Sequence, residues 1–284
     1  MNYKILFPNN IYNYKLLKQS DIQVVYNKSF NRKNNRNIDS LLEKEIIKYE
    51  HISNEYLFNK NKFRLHSINY NHDQKILRVN LGITDYFNYL STNHNAFLIR
   101  RLIRLGLNNH NNEDAYLSNA LGNVAIVILT DRKIVFLKRN NNVFTFQNYY
   151  DLPGGHPEPE KCNQNNQEIC NELFNSIKQE LIEELNIDED NILDIFNFGF
   201  LKSLQDGLKP EMLFLVPINL SSIEVENTFK IIDNKNKEAN ELLFIDYESI
   251  HSIDLQLTAV AEGAINLFKE LIGGRKLSCI NYLN

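Results

Sequence analysis

An α/β fold is predicted for this chain, an α/β/α sandwich with a smaller N-terminal α/β domain. Two patterns predict it. Strand-length apolar runs, clearest at Asn123-Val-Ala-Ile-Val-Ile-Leu-Thr130 and Ile134-Val-Phe-Leu-Lys-Arg139, are interleaved with segments whose apolar residues recur every three or four positions. A glycine turn, Asp151-Leu-Pro-Gly-Gly-His-Pro-Glu-Pro-Glu160, then leads through an Asn/Gln-rich detour into an acidic amphipathic helix over residues 172–187.

Residues 1 to about 50 hold β-like runs at Tyr3-Lys-Ile-Leu-Phe7 and Ile22-Gln-Val-Val-Tyr26. A polar linker, Asn31-Arg-Lys-Asn-Asn-Arg-Asn37, reads as a solvated loop. It leads to a helix through Leu41, Leu42, Ile46 and Ile47, with Asp39 or Ser40 as the expected cap. Lys62-Phe-Arg-Leu-His-Ser-Ile-Asn-Tyr70 and Lys75-Ile-Leu-Arg-Val-Asn-Leu81 alternate well enough to pair as a hairpin across Asn71-His72-Asp73. Helical patterns follow around 85–90 and 97–105. These elements form the N-terminal domain, residues 1–115. The second domain, 116–272, begins with the two buried runs, joined at Asp131-Arg-Lys133. Beyond the acidic helix it holds strands near 196–201 and 212–217, a helix around 223–231, a strand at 242–247 and a closing helix over 259–272. Gly273-Gly274 stops that helix, and residues 273–284 are a tail. No internal repeat is visible.

At 284 residues the chain can bury a proper core, and its 43% hydrophobic and 23% charged residues are globular values. A formal charge of −4 offers no basic stripe for nucleic acid, so an anionic ligand has to be held by local cations. Cys162, Cys170 and Cys279 are odd in number and lack framework spacing. This favours a reduced cytoplasmic setting, with the nucleus left open. His156, Cys162 and Cys170 have none of the paired spacings of a zinc site and read as ordinary residues. No run reaches the ~18 apolar residues of a membrane span, and the N-terminus lacks a signal-peptide core.

The chemistry is expected on the acidic helix. Leu173, Phe174, Ile177, Leu181, Ile182 and Leu185 lay one apolar stripe against a core, leaving Glu180 and Glu184 one turn apart on another side and Glu183 beside them. Like charges at that spacing cost a few tenths of a kcal/mol, roughly, per pair. A hard divalent cation more than offsets this. Mg²⁺ takes oxygen ligands, normally one or two carboxylates plus substrate phosphates, which makes Glu180 and Glu184 the expected metal ligands. Glu183 is a third ligand or a water-activating base.

Gln179-Glu-Leu-Ile-Glu-Glu-Leu-Asn-Ile187 resembles the second half of the Nudix hydrolase box, G-x5-E-x7-R-E-U-x-E-E-x-G-U, with U a bulky aliphatic. It departs from the box in three places. Gln179 replaces the arginine, and Asn186, the next most tolerant residue for a left-handed helix end, replaces the glycine. Extra residues, including Cys162-Asn-Gln-Asn-Asn-Gln-Glu168, separate the glycine loop from Glu180 and displace the box's loop glutamate, for which Glu160 and Glu172 compete. The glycine loop with its long insertion is similar to the UDP-glucose diphosphatase branch of the superfamily. Further matching pieces run from Leu57-Phe58 and Lys62-Phe-Arg-Leu-His-Ser67 to Glu211-Met-Leu-Phe and Ala261-Glu-Gly-Ala-Ile265.

That resemblance implies a Nudix sandwich and Mg²⁺-dependent hydrolysis of UDP-glucose or UDP-galactose to UMP and sugar 1-phosphate, with Mn²⁺ as the other candidate ion. It implies Glu180, Glu183 and Glu184 as catalytic residues, and His156 and Glu158 as substrate contacts. Arg139, at a strand end beside the loop, is expected to clamp a phosphate. Asp151 would hold the loop or accept a sugar hydroxyl. Phe58 and Tyr86 align with aromatics lining the nucleotide site, and Phe144 and Val260 with contacts that only backbone atoms could preserve here. The expected species is a monomer or weak homodimer with a UDP-sugar as its partner and no nucleic acid or membrane. Two alternatives stay open: a Nudix hydrolase for another nucleoside diphosphate-linked substrate such as ADP-ribose, and a non-catalytic nucleotide-sugar sensor.

Overall fold

The computed structural model describes residues 2–8, 15–52, 59–140, 146–163, 165–232 and 239–274. The larger of its two sheets is built from β1 (Tyr3–Phe7), β5 (Gly122–Ile128), β6 (Lys133–Arg139), β9 (Phe196–Ser203), β10 (Lys209–Pro217) and β11 (Ala239–Asp246), in the order β1-β9-β10-β5-β6-β11. Two short strands, β7 (Tyr150–Asp151) and β8 (Gly154–Gly155), pair with β6 and β5 respectively. The smaller sheet has the order β2-β4-β3, from β2 (Ile22–Tyr26), β3 (Asn61–Asn71) and β4 (Ile76–Asp85). The first strand thus joins the larger sheet, with Tyr3 opposite Ser203 on β9.

Alternation along the buried strands sends side chains to opposite faces of the larger sheet. Val124, Ile126, Ile128, Leu213 and Leu215 meet Ile265 and Phe268 of α6 (Ala259–Gly274) on one side. On the other side Ala125, Val127, Phe214 and Val216 meet Ile177 and Leu181 of α4 (Asn166–Leu185). The same core cluster takes in Ile22, Val24, Phe63, Leu65 and Val79 of the smaller sheet, so α4 is packed against both sheets. The remaining helices are α1 (Arg36–Ile52), α2 (Tyr86–Thr92), α3 (Ile99–His110) and α5 (Ser222–Ile231). Among the described residues no helix is long and apolar enough to cross a membrane.

Two helices begin earlier than their apolar periodicity predicts, and capping explains both. The cap of α1 is Asn35, not Asp39 or Ser40. Its side-chain oxygen accepts from the Asn37 and Ile38 amides, while Asp39 reaches back to the Asn35 amide at 2.9 Å. The acidic helix starts at Asn166 rather than near residue 172, because Asn165 accepts from the Glu168 amide at 2.9 Å and Glu168 accepts from the Asn163 amide at 2.8 Å. Much of the Asn/Gln-rich detour is therefore extra helix. These added turns dock on β2: Asn166 Oδ1 accepts from the Tyr26 amide at 2.9 Å, and the buried Cys170 thiol donates to the Ile22 carbonyl.

A buried polar pin ties the smaller sheet to the larger. Arg64, 1% exposed, spends its guanidinium on the carbonyls of Leu117, Phe30 and Asp114 at 3.0, 2.7 and 2.6 Å. The Asp114 carboxylate in turn accepts from Lys202 of β9 at 2.5 and 2.7 Å. Burial acts upward on the Asp114 carboxyl, but the Lys202 ammonium and further hydrogen bonds outweigh it and hold the group below its ordinary 3.8. A carboxyl depressed in the folded state adds stability that is present above its unfolded value and is lost as pH falls through the folded one. Asp114→Asn, which leaves Lys202 buried without its anion, is expected to lower stability at neutral pH by up to roughly 3 kcal/mol. It should also flatten the fall of Tm below about pH 4. Thermal unfolding of both proteins across that range checks this.

Candidate active site

The glycine turn is held between a strand and a helix. Val124 pairs with Gly154 and Asn123 with Gly155, and the Ala125 amide donates to the Pro153 carbonyl at 2.8 Å. A Cβ at position 154 would overlap the Asn123 carbonyl, and one at position 155 would overlap the Glu180 carboxylate. Glycine is therefore required at 154 by the backbone of β5, whereas at 155 a Cβ would displace only the end of the Glu180 side chain.

Glu180 and Glu184 are half-buried and meet this turn, as their four-residue spacing predicts. Glu184 Oε2 accepts from the Gly154 amide at 3.0 Å, and Glu180 lies over Gly155. Asn123 locks the assembly, accepting from the Gly155 amide at 3.0 Å while donating to Ser176 of α4 at 2.6 Å. Glu183 and Gln179 are solvent-exposed. Asn186, where the box has glycine, adopts the left-handed conformation with φ 53° and ψ 50° that this helix end demands. Among the described residues no three His, Cys, Asp or Glu side chains are already gathered around one metal position. The donor set fits a hard ion all the same: two carboxylates with oxygens turned toward a turn kept bare of side chains leave the rest of a Mg²⁺ shell to water and phosphate.

Several lysines lie around the turn, and one of them, Lys62, is in the field of Glu180. Lys62 on β3 is 9% exposed, and burial pulls its ammonium below its ordinary value against the upward pull of Glu158 and Glu180. Lys209 opens β10 and pairs with Glu211 at 2.6 Å. Burial pushes the Glu211 carboxyl up to about 7, with Lys209 opposing. His156 is half-buried, and desolvation first, then Lys209 and Lys62, hold its imidazole well below its ordinary range, so it is neutral at pH 7. Glu158 is flanked by Lys60 at 3.2 Å and Lys161 at 3.4 Å. Burial acts upward on Glu158, but the lysines outweigh it and keep the group anionic. A cleft of about 240 Å³ opens beside it, lined by Asn59, Lys60, Asn61, Glu158 and Glu160.

The other expected residues are distributed unevenly. Arg139 ends β6 and bonds Asp151 at 3.1 Å; Asp151 also accepts from the Leu152 amide and, at 2.7 Å, from the Thr258 hydroxyl. Tyr86 opens α2, half-buried, with its ring stacked on Tyr89 at 6.1 Å. Val260, in the first turn of α6, is half-buried against that helix's core. Of the two glutamates competing for the displaced box position, Glu172 is buried and accepts from the Glu158 amide at 3.0 Å, whereas Glu160 is exposed. Phe58 and Phe144 lie outside the described residues, as does Cys279. Cys162 and Cys170 are free thiols that donate to backbone carbonyls. Sequence reading missed Lys62, Lys209, Glu211 and Asn123 as site residues. Lys62 and Glu211 stood within matching pieces of the resemblance, whereas Lys209 and Asn123 carried no signal beyond a polar residue at the start of an apolar strand.

No family model matches the chain. Curated relatives do. Uridine diphosphate glucose pyrophosphatase NUDT22 of Bos taurus is 28% identical over 237 residues, covering 77% of this chain and 81% of the relative. The Homo sapiens protein of that name is 27% identical over 237 residues, covering 77% of each chain. Nudix hydrolase 9 of Arabidopsis thaliana is 25% identical over 243 residues, covering 77% and 76%. Among solved structures, the NUDIX domain of Shewanella oneidensis NrtR complexed with ADP ribose is 12% identical with a TM-score of 0.39, covering 60% of this chain and 97% of that one. A glycine turn seated on a two-glutamate helix is thus carried by a chain similar to Nudix hydrolases, among them proteins named uridine diphosphate glucose pyrophosphatase.

Proposed function

We propose that this Nudix hydrolase cleaves the diphosphate of a UDP-sugar, UDP-glucose or UDP-galactose, with Mg²⁺, releasing UMP and sugar 1-phosphate. The observation that carries the reading is the seating of Glu180 and Glu184 on Gly154 and Gly155, with Lys62 in the field of Glu180. The relatives named uridine diphosphate glucose pyrophosphatase support the uridine and sugar parts.

Glu180 and Glu184 would hold the ion, which when bound supplies Lewis acidity at phosphorus and a water of lowered pKa. Water oxygen bonds to one phosphorus as the bridging P–O bond breaks, and its proton leaves for solvent or the departing phosphate. The chain's own residues bind and orient. Neutral His156 offers one N–H to a phosphate oxygen without adding charge. Arg139, oriented by Asp151, faces the developing charge. Glu158, its charge balanced by Lys60 and Lys161, can accept from sugar hydroxyls without repelling the diphosphate. Tyr86 offers a flat face to a base, a contact worth roughly 1–3 kcal/mol.

Incubation of the purified protein with UDP-glucose and Mg²⁺ is expected to yield UMP and glucose 1-phosphate, and EDTA is expected to stop the reaction. Glu180→Gln and Glu184→Gln should each lower turnover by roughly 10²–10³-fold; intact turnover in both would sink the proposal. UDP-glucose that raises Tm without being cleaved would instead select the sensor reading.

The two glycines should separate by phenotype. Gly155→Ala displaces the end of a flexible glutamate, so turnover is expected to fall roughly 10²-fold with little change in Tm. Gly154→Ala collides with backbone and should lower Tm. Parallel melting curves and initial rates check the pair.

A further inference from the structure

Lys62, Arg64 and His66 alternate with the core residues Phe63 and Leu65 along β3, which sets the three basic side chains on the opposite face of the smaller sheet. Two of them are structurally satisfied. The Arg64 guanidinium is taken up by three backbone carbonyls, and His66 stacks on Phe30 at 4.7 Å. Lys62 differs. It is 9% exposed, yet among the described residues its ammonium has no hydrogen-bond acceptor and no carboxylate within ion-pair distance. An ammonium at the end of so buried a side chain keeps only partial access to water, and its three donors are costly to leave unmatched. Its surroundings identify what would match it. Lys209, Lys60, Glu158 and Glu180 set the field at Lys62, and Lys62 and Lys209 together act on His156. Lys209 is anchored by Glu211 at 2.6 Å and cannot swing away to relieve the repulsion.

We infer that Lys62 is a further anion-binding residue of the site, taking non-bridging oxygens of the substrate's diphosphate, with Lys209 as a second cation paired with Glu211. This rests on the reading of the site as one for a diphosphate-linked substrate. The arrangement divides labour across the fold: carboxylates come from α4 between the sheets, and the lysines come one from each sheet. Lys62 supplies charge without the planar fork of arginine, so it suits phosphate oxygens of either orientation. Its unmatched state in the free protein also makes it a residue retained at some cost to stability.

The test uses inorganic pyrophosphate as the probe, read by calorimetry on the full chain, beside UDP-glucose kinetics. Lys62→Met keeps the length of the side chain and removes the charge. It is expected to weaken pyrophosphate binding and raise KM for UDP-glucose by roughly 10–100-fold, while Tm stays level or rises. Lys62→Arg is expected to recover part of the affinity. A residue there for structure alone would instead lower Tm and leave pyrophosphate affinity unchanged. The inference is overturned if Lys62→Met binds pyrophosphate as the wild type does, or if the wild type does not bind it. Pyrophosphate binding through Lys62 without UDP-glucose cleavage would retain the anion site and reject the proposed reaction; cleavage with KM unmoved in Lys62→Met would do the reverse.

Discussion

Everything at the site depends on a backbone squeezed from two sides. Gly154 lies against the main chain of β5 with no room for a Cβ, and Gly155 lies under the Glu180 carboxylate with no room either. Two residues without side chains let strand and helix approach each other through a single layer of peptide. That closeness brings the Gly154 amide to Glu184 and the Gly155 amide to Asn123. Asn123 then hands the arrangement on to Ser176 in the same helix. The Glu184 carboxylate is aimed by a hydrogen bond from a turn that is itself paired to the sheet.

Electrostatics around that turn follow from burial. Half-buried glutamates one helical turn apart repel, and Lys62 of β3 sets a positive field at Glu180, while Lys209 of β10 answers Glu211 and Lys60 and Lys161 answer Glu158. Some of these charges neutralise one another and are structural in the resting protein, as Lys209 with Glu211 is. Others are matched only in part. The low dielectric that makes such mismatches costly is what gives a charged ligand leverage there.

Much of this was legible in the sequence. Alternation and apolar runs located β5, β6, β9, β10 and β11, and the four-residue step from Glu180 to Glu184 announced both carboxylates on one side of the helix. Substitution of glycine by Asn186 was readable as a left-handed helix end, because asparagine tolerates that conformation. Helix starts were less legible. At Asn35 and Asn165 the cap is set by reciprocal side-chain bonds rather than by apolar period, and polar residues that look like loop turn out to be the first helical turns. The lysine cluster was hidden for another reason. Residues 62 and 209 meet only because the smaller sheet packs against α4 and the mouth of the larger one, and no local pattern encodes that meeting.

The added turns at the start of α4 change what kind of part this helix is. By bonding to Tyr26 and Ile22 of β2 while its later turns carry Glu180 and Glu184, α4 becomes a beam shared by two bodies. Any reorientation of the smaller sheet must drag the helix, or break its bonds to it.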